Sequence, residues 1–230
     1  MMMFFIGIDD TDTLESRGTG HLARQIAAVL SAEYTVLGVT RHQLLVDSRV
    51  PCTKNNSSAA IVLEGNGLTE VGTLLEQVKA LMLDHFQPGS DPGLCVADTV
   101  PDTITGFGRR AQQALVTREE AQSLAGALSI PLVGLGGDRG GVIGALAAVG
   151  LAASQEDGRY VLVGRSRELS GLQPVSAVLA AGIASVRTLD GQPVTAGLIQ
   201  TDKLRPARRG GQPVVVVEWA GDYWQPLKLD

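Results

Sequence analysis

The order in which apolar periodicity changes between Phe4 and Ala97 constrains this chain more than any other feature. Phe4 to Ile8 is a short apolar run that reads as a strand, and Leu22, Ile26, Val29 and Leu30 then recur at helical spacing within Gly20 to Ala32. Tyr34 to Val46 reads as a strand, Pro51 to Ser57 as a polar loop, and Ser58 to Leu63 as a second strand leaving that loop. Leu68, Val71, Leu75, Val78 and Met82 line one face of a long helix, and a Gly/Pro break at Gly89 to Gly93 precedes the strand Leu94 to Ala97. Strand, helix, two strands, helix and strand make βαββαβ, the split-βαβ or ferredoxin-like order, so the fold class expected is α/β in the α+β sense.

Beyond Asp98 the pattern restarts. Thr117 to Leu128 reads as a helix, Ile130 to Leu135 as a strand, and the Gly136-to-Gly141 run opens a helix from Val142 to Ala153. From Arg159 the chain turns to short β-branched runs, Tyr160 to Val163, Ala184 to Arg187 and Pro213 to Glu218, punctuated by Asp190-Gly191 and Gly210-Gly211. Three segments are expected: 1–100, the ferredoxin-like unit with an acidic turn; 101–157, a second α/β unit with a Gly-rich loop; and 158–230, a small β-rich piece. Only Cys52 and Cys95 are present, without a CxxC pair, and there are 3 histidines, so neither a disulfide framework nor a structural zinc site has enough ligands. A reducing, cytoplasmic setting is expected. The apolar start Met1 to Ile6 has no basic flank and runs into carboxylates, which argues for a buried strand rather than a signal or membrane segment.

The chemistry concentrates at Gly7-Ile8-Asp9-Asp10-Thr11-Asp12. Asp9, Asp10 and Asp12 leave the carboxyl end of the first strand, and a persisting strand would put Asp10 and Asp12 on one side and Asp9 on the other. Three carboxylates in four residues repel one another, so a cation, a base or a raised pKa has to hold them together, and Mg2+ bridging nucleotide phosphates suits such hard oxygens. The competing reading is helix capping by Asp12 or Thr13. Gly18-Thr19-Gly20-His21 opens the first helix, where backbone N–H groups favour an anion and Thr19 adds a hydroxyl. Lys54 and Ser57 in the polar loop, and Arg139, Gly140 and Gly141 in the Gly-rich run, are the remaining phosphate-binding candidates. His21 is a weaker candidate for proton handling. Neither GxxxxGK[ST] nor GxGxxG occurs, so the common nucleotide folds are not supported.

The acidic turn, the Gly18-Thr19 helix start, the Pro51-to-Ser58 loop, Asp91-Pro92-Gly93 and the run from Gly140 to Gly150 occur together in an order that resembles the catalytic half of archaeal tRNA-isoleucine agmatinylcytidine synthetase (TiaS), over roughly residues 4 to 155. The resemblance implies a kinase-like module joined to a ferredoxin-like unit, which uses ATP to phosphorylate the C2 oxygen of the wobble cytidine before agmatine displaces it. It implies that Asp9, Asp10 and Asp12 hold Mg2+ and ATP. It also implies that Thr19 matches a threonine that becomes phosphorylated, if one residue is inserted after the acidic turn. The family's basic loop reads Pro-Tyr-Lys-Thr-Arg-Gly-Asn, whereas Pro51 to Ser57 lacks its arginine and glycine.

The family's OB-fold and zinc ribbon find neither room nor cysteines here, and the formal charge of -5 with a pI near 5.2 repels phosphate backbones. The basic run Lys203, Arg205, Arg208 and Arg209 reads as a solvated loop. The expectation is therefore an ATP/Mg-dependent phosphotransferase or ligase-like enzyme with a small or unknown acceptor. Asp9, Asp10, Asp12 and Thr19 would be catalytic, and Gly18, Thr19, Gly20, Lys54, Ser57, Arg139, Gly140 and Gly141 would bind the nucleotide. tRNA is not expected as a tight stand-alone ligand, no membrane is expected, and self-association is compatible with the sequence. The rivals are a non-catalytic nucleotide- or metabolite-binding subunit and an RNA-processing factor.

Overall fold

The structure, a computed structural model, describes residues 2–53, 55–66, 68–85 and 87–229. Lys54, one of the nucleotide-binding candidates, lies outside the described residues. The chain divides into two compact units, Met1–Ser154 and Gln155–Asp230. Residues on both sides of position 100 share one core in the first unit.

That unit begins β1 (Met2–Asp9), α1 (Thr19–Leu30), β2 (Thr35–Gln43), β3 (Ser57–Gly65), α2 (Val71–Asp84) and β4 (Gly93–Ala97). It continues with α3 (Asp102–Gln113), α4 (Arg118–Ala127), β5 (Leu132–Gly134) and α5 (Val142–Ala153). Its strands lie in the order β5-β4-β1-β3-β2, each pair antiparallel. The four strands of the βαββαβ part thus take the order that places β1 between β4 and β3, with β5 added at the β4 edge.

The period of two along β1 divides the core. Phe4, Ile6 and Ile8 are buried on the face covered by α1 and α2, while Phe5 joins the cluster formed with Val62, Cys95, Ile104, Phe107 and the apolar residues of α5. α5 is apolar on every side, as suits a helix wedged between the sheet and α3. Its approach to β1 needs Gly7 and Gly144: a Cβ at Gly7 would collide with the Ala145 carbonyl, and one at Gly144 with the Asp9 carboxylate. The start of α5 is thereby held against the end of β1.

α3 has no counterpart in the sequence reading. Its apolar residues Ile104, Phe107 and Ala111 are few, and Gly106 and Gly108 weaken its intrinsic helix preference.

The second unit holds β6 (Arg159–Leu162), β7 (Leu172–Pro174), α6 (Val175–Ala180), β8 (Ser185–Thr188), β9 (Leu198–Gln200), β10 (Ala207–Arg209), β11 (Gln212–Trp219) and β12 (Trp224–Pro226). Its strand order is β6-β10-β11-β12-β9-β7, with β8 parallel to β11. Gly210 and Gly211 have φ of 55° and 72° and turn β10 into β11, the left-handed pair that a tight hairpin requires. In the basic run Lys203 is exposed, Arg205 and Arg209 are half-buried and Arg208 is buried. Arg208 is 3% exposed and donates to the Tyr160 hydroxyl at 2.9 Å, and Arg205 and Arg209 donate to main-chain carbonyls.

Candidate functional site

β1 ends at Asp9, and Asp10 turns the chain with φ 50°. The strand's alternation stops there, so the three aspartates diverge. Asp12 folds back on the start of α1: its Oδ1 accepts the Thr19 amide at 3.1 Å and the Thr19 hydroxyl at 2.9 Å, and its Oδ2 accepts the Thr53 hydroxyl at 3.0 Å. Gly18, at the N-cap, has no side chain to do this, so Asp12 caps the helix from seven residues upstream of Thr19. Thr11 joins the network through its hydroxyl, 3.2 Å from that of Thr19, and both threonines are buried.

Asp9 lies against Gly144, and burial is the main cause that raises its carboxyl to about 7; the Asp10 amide opposes the shift, and the charges of Asp10 and Asp12 add to it. Asp10 is raised to about 6, first by burial and then by the charges of Asp91, Asp12 and Asp138. Asp91 and Asp138 were not among the sequence candidates. Asp91 Oδ1 accepts the Asp138 amide at 3.1 Å, its carbonyl accepts the Gly141 amide at 3.1 Å, and its carboxyl is raised by burial and by the hydrogen bond and charge of Asp138. The signals in the sequence were that two short Gly-flanked turns each carry an acid and that Asp91-Pro92-Gly93 is among the motifs of the family resemblance.

Two cavities meet at Asp12, Thr19, Thr53, Asn55 and Ser57, which line both. The first, of about 480 Å³, is lined by the acidic Asp9, Asp10, Asp91 and Asp138 and by apolar residues that include Leu14, Leu44, Val50, Leu115 and Ile143. The second, of about 630 Å³, is basic: Arg17, Arg24, Arg41 and His21 line it beside Gly18, Thr19 and Gly20 at the start of α1. Arg24 donates to His21 Nδ1 at 3.2 Å, and Arg41 donates to the Ser57 hydroxyl at 2.9 Å. Arg17, Arg24 and Arg41 escaped the sequence reading because they sit on different elements.

The Gly136-to-Gly141 loop differs from the phosphate cradle expected of it. The Gly140 amide donates to Asp138 Oδ1 at 2.8 Å and the Gly141 amide to Asp91, so both are engaged by the protein's own acceptors. Arg139, at φ 67°, packs its stem on Gly134, is exposed, and lines neither of these cavities. Asp138 is the charged residue that the loop presents to the acidic cavity. Among the described residues no three or more His, Cys, Asp and Glu side chains are grouped to hold a metal ion, and no helix is long and apolar enough to cross a membrane.

No protein-family model and no curated protein sequence matches the chain. Solved structures do. A complex of TiaS with its isoleucine tRNA and ATP is 28% identical with a TM-score of 0.57, a complex of TiaS with the same tRNA, AMPCPP and agmatine is 27% identical with a TM-score of 0.56, and a tRNA fluorescent labeling enzyme is 28% identical with a TM-score of 0.57. Each match covers 65% of this chain and 36% of the other, so the chain spans little more than a third of the length of the structures it resembles. In sequence and in fold, that portion of the chain is similar to a part of TiaS.

Proposed function

We propose that the chain is an ATP-dependent phosphotransferase or ligase-like enzyme whose nucleotide phosphates lie in the basic cavity and whose acceptor lies in the acidic one. The observation that carries this reading is the meeting of two cavities of opposite charge at one wall, Asp12, Thr19 and Thr53. A polyphosphate is attracted by Arg17, Arg24 and Arg41 and by the α1 N-terminus, and is repelled by four aspartates. An acceptor with an apolar body fits the other side, where Asp9, its carboxyl raised to about 7, is poised to take a proton near neutral pH.

The charge that develops in phosphoryl transfer is neutralised by the arginines, and most of the catalytic effect comes from positioning. Thr19, held by Asp12, stands between the two ligands. Mg2+ in a nucleotide complex takes one or two carboxylates and completes its shell with phosphate oxygens and water, so a full protein cage is not required. Asp10, whose carboxyl is raised by the charges of Asp91, Asp12 and Asp138 as well as by burial, would be its main protein ligand, and the ion would supply further charge neutralisation.

Calorimetric titration with a non-hydrolysable ATP analogue, with and without Mg2+, tests the reading. Binding that needs Mg2+ and drops at least tenfold in Arg41→Ala is expected. Undiminished binding in that variant would place the phosphates elsewhere, and no binding at all would remove the ATP reading. Retained binding with no turnover of any acceptor would favour the metabolite-sensing alternative.

A further inference from the structure

The loop that brings Asp138 to the acidic cavity has little side-chain bulk of its own to fix it. Four of its six residues are glycines, and both Gly137 and Arg139 are left-handed, with φ of 50° and 67°. On its inner side Asp91 holds it through the amides of Asp138 and Gly141. On its outer side Arg118 donates from Nη1 to the Asp138 carbonyl. The base from which Arg118 reaches is itself fixed. Arg118 is the first residue of α4, whose capping box joins the Glu120 amide to the Thr117 hydroxyl at 3.2 Å and the Thr117 amide to Glu120 at 2.8 Å, and Arg110 pairs with Glu120 at 3.2 Å.

We propose that Arg118 is a positioning residue for the acidic cavity: it clamps the Gly136-to-Gly141 loop from outside, opposite Asp91, and so fixes where the Asp138 carboxylate stands. The consequence for cation binding rests on the function proposed above, whereas the clamp itself does not. Arg118 also brings a positive charge to the loop that carries Asp138. Position and charge predict opposite results when it is removed. Losing a nearby cation strengthens the binding of another cation, but letting Asp138 drift weakens it.

The test compares the full chain with Arg118→Met, which keeps the stem, and Arg118→Lys, which keeps the charge but not the planar fork. Hydrogen exchange at the Asp138, Gly140 and Gly141 amides should quicken roughly tenfold in Arg118→Met, as expected for a lost charge-assisted hydrogen bond, and by less in Arg118→Lys. Unchanged exchange in the loop, or a rise spread evenly through α4, would overturn the clamp. In the second arm, Mn2+ affinity measured by electron paramagnetic resonance should weaken by roughly tenfold in Arg118→Met, as for other residues that orient a metal ligand without touching the metal. Tighter Mn2+ binding would show that only the charge matters, and would overturn it. If the parent chain binds no Mn2+, the metal part of the proposed function fails while the exchange arm still decides the clamp.

Discussion

Asp12 accepts three hydrogen bonds, and two of them fix the first residue of α1. Its removal leaves the Thr19 amide and two hydroxyls to find water, at a cost typical of a lost cap, about 1–2 kcal/mol. Asp12→Ala should lower the urea midpoint accordingly, while Asp12→Asn, which keeps an accepting oxygen, should lose less. Equal stability for the parent and Asp12→Ala would mean that the carboxylate is not a cap. Asp9 behaves differently, because burial holds its carboxyl at about 7 against an ordinary value of 3.8. Between those values the folded chain keeps a proton that the unfolded chain has released, so this group's contribution is full below about pH 4 and is lost as pH rises through 7. In metal-free protein, Asp9→Asn should therefore raise the melting temperature at pH 8 by several degrees, for a gain on the order of 2 kcal/mol, and change it little at pH 4. A shift of the same size at both pH values would show that the proton is not the cause.

The contact between α3 and α5 is made by small residues at the level of whole helices. A Cβ on Gly150 would strike the Ile104 carbonyl, and one on Gly108 would sit 2.9 Å from the Ala147 carbonyl oxygen, so neither helix can grow a side chain there without parting. Gly150→Ala gains about 1 kcal/mol of helix preference but should still destabilise by roughly 1–3 kcal/mol net, since backbone rather than a flexible side chain must move. Gly106, on the same helix as Gly108, would have nothing within 4 Å of an added methyl, and Gly106→Ala should stabilise by roughly 0.5–1 kcal/mol. Urea unfolding of the pair checks the contrast. Two stabilised variants would dismiss the close approach.

The same contact marks where the sequence stopped being legible. β1, α1, β2, β3, α2, β4 and α5 announce themselves by period, and α5 begins and ends at Val142 and Ala153 as its apolar run does. α3 does not, because it is stabilised by a partner some forty residues ahead rather than by a continuous stripe of its own. β7, β9, β10 and β12 are three residues each, too short for a period of two to register. The acidic turn was legible as a cluster, and the capping by Asp12 was its competing reading, but the way its three carboxylates part company was not. A left-handed Asp10 sends Asp12 to the α1 cap and leaves Asp9 at α5, and local sequence does not specify that turn.

At the scale of the whole molecule, the question is what a chain of formal charge -5 does with a polyanion. It carries 19 Lys and Arg, but the C-terminal basic run contributes little of that to the surface chemistry of a phosphate backbone. Arg208 is buried over Tyr160, and Arg205 is half-buried and tied to the Leu204 carbonyl. Among the described residues the cations grouped at an open cavity are Arg17, Arg24 and Arg41, about three phosphates' worth, and the acidic cavity lies directly beside them. Binding of a transfer RNA by this chain alone should therefore be weak, with Kd on the order of 10⁻⁴ to 10⁻⁶ M at physiological salt. Each phosphate contact releases counterions, so the logarithm of affinity should fall against the logarithm of salt with a slope of only about -2 to -3. Arg17→Ala and Arg24→Ala should each make that slope shallower by roughly one, since each removes one phosphate contact without altering any base reading. Fluorescence anisotropy with labelled tRNA across a salt series measures both quantities. Nanomolar binding, or a slope near that of six or more contacts, would require a basic surface beyond this cavity and would restore RNA as the principal partner.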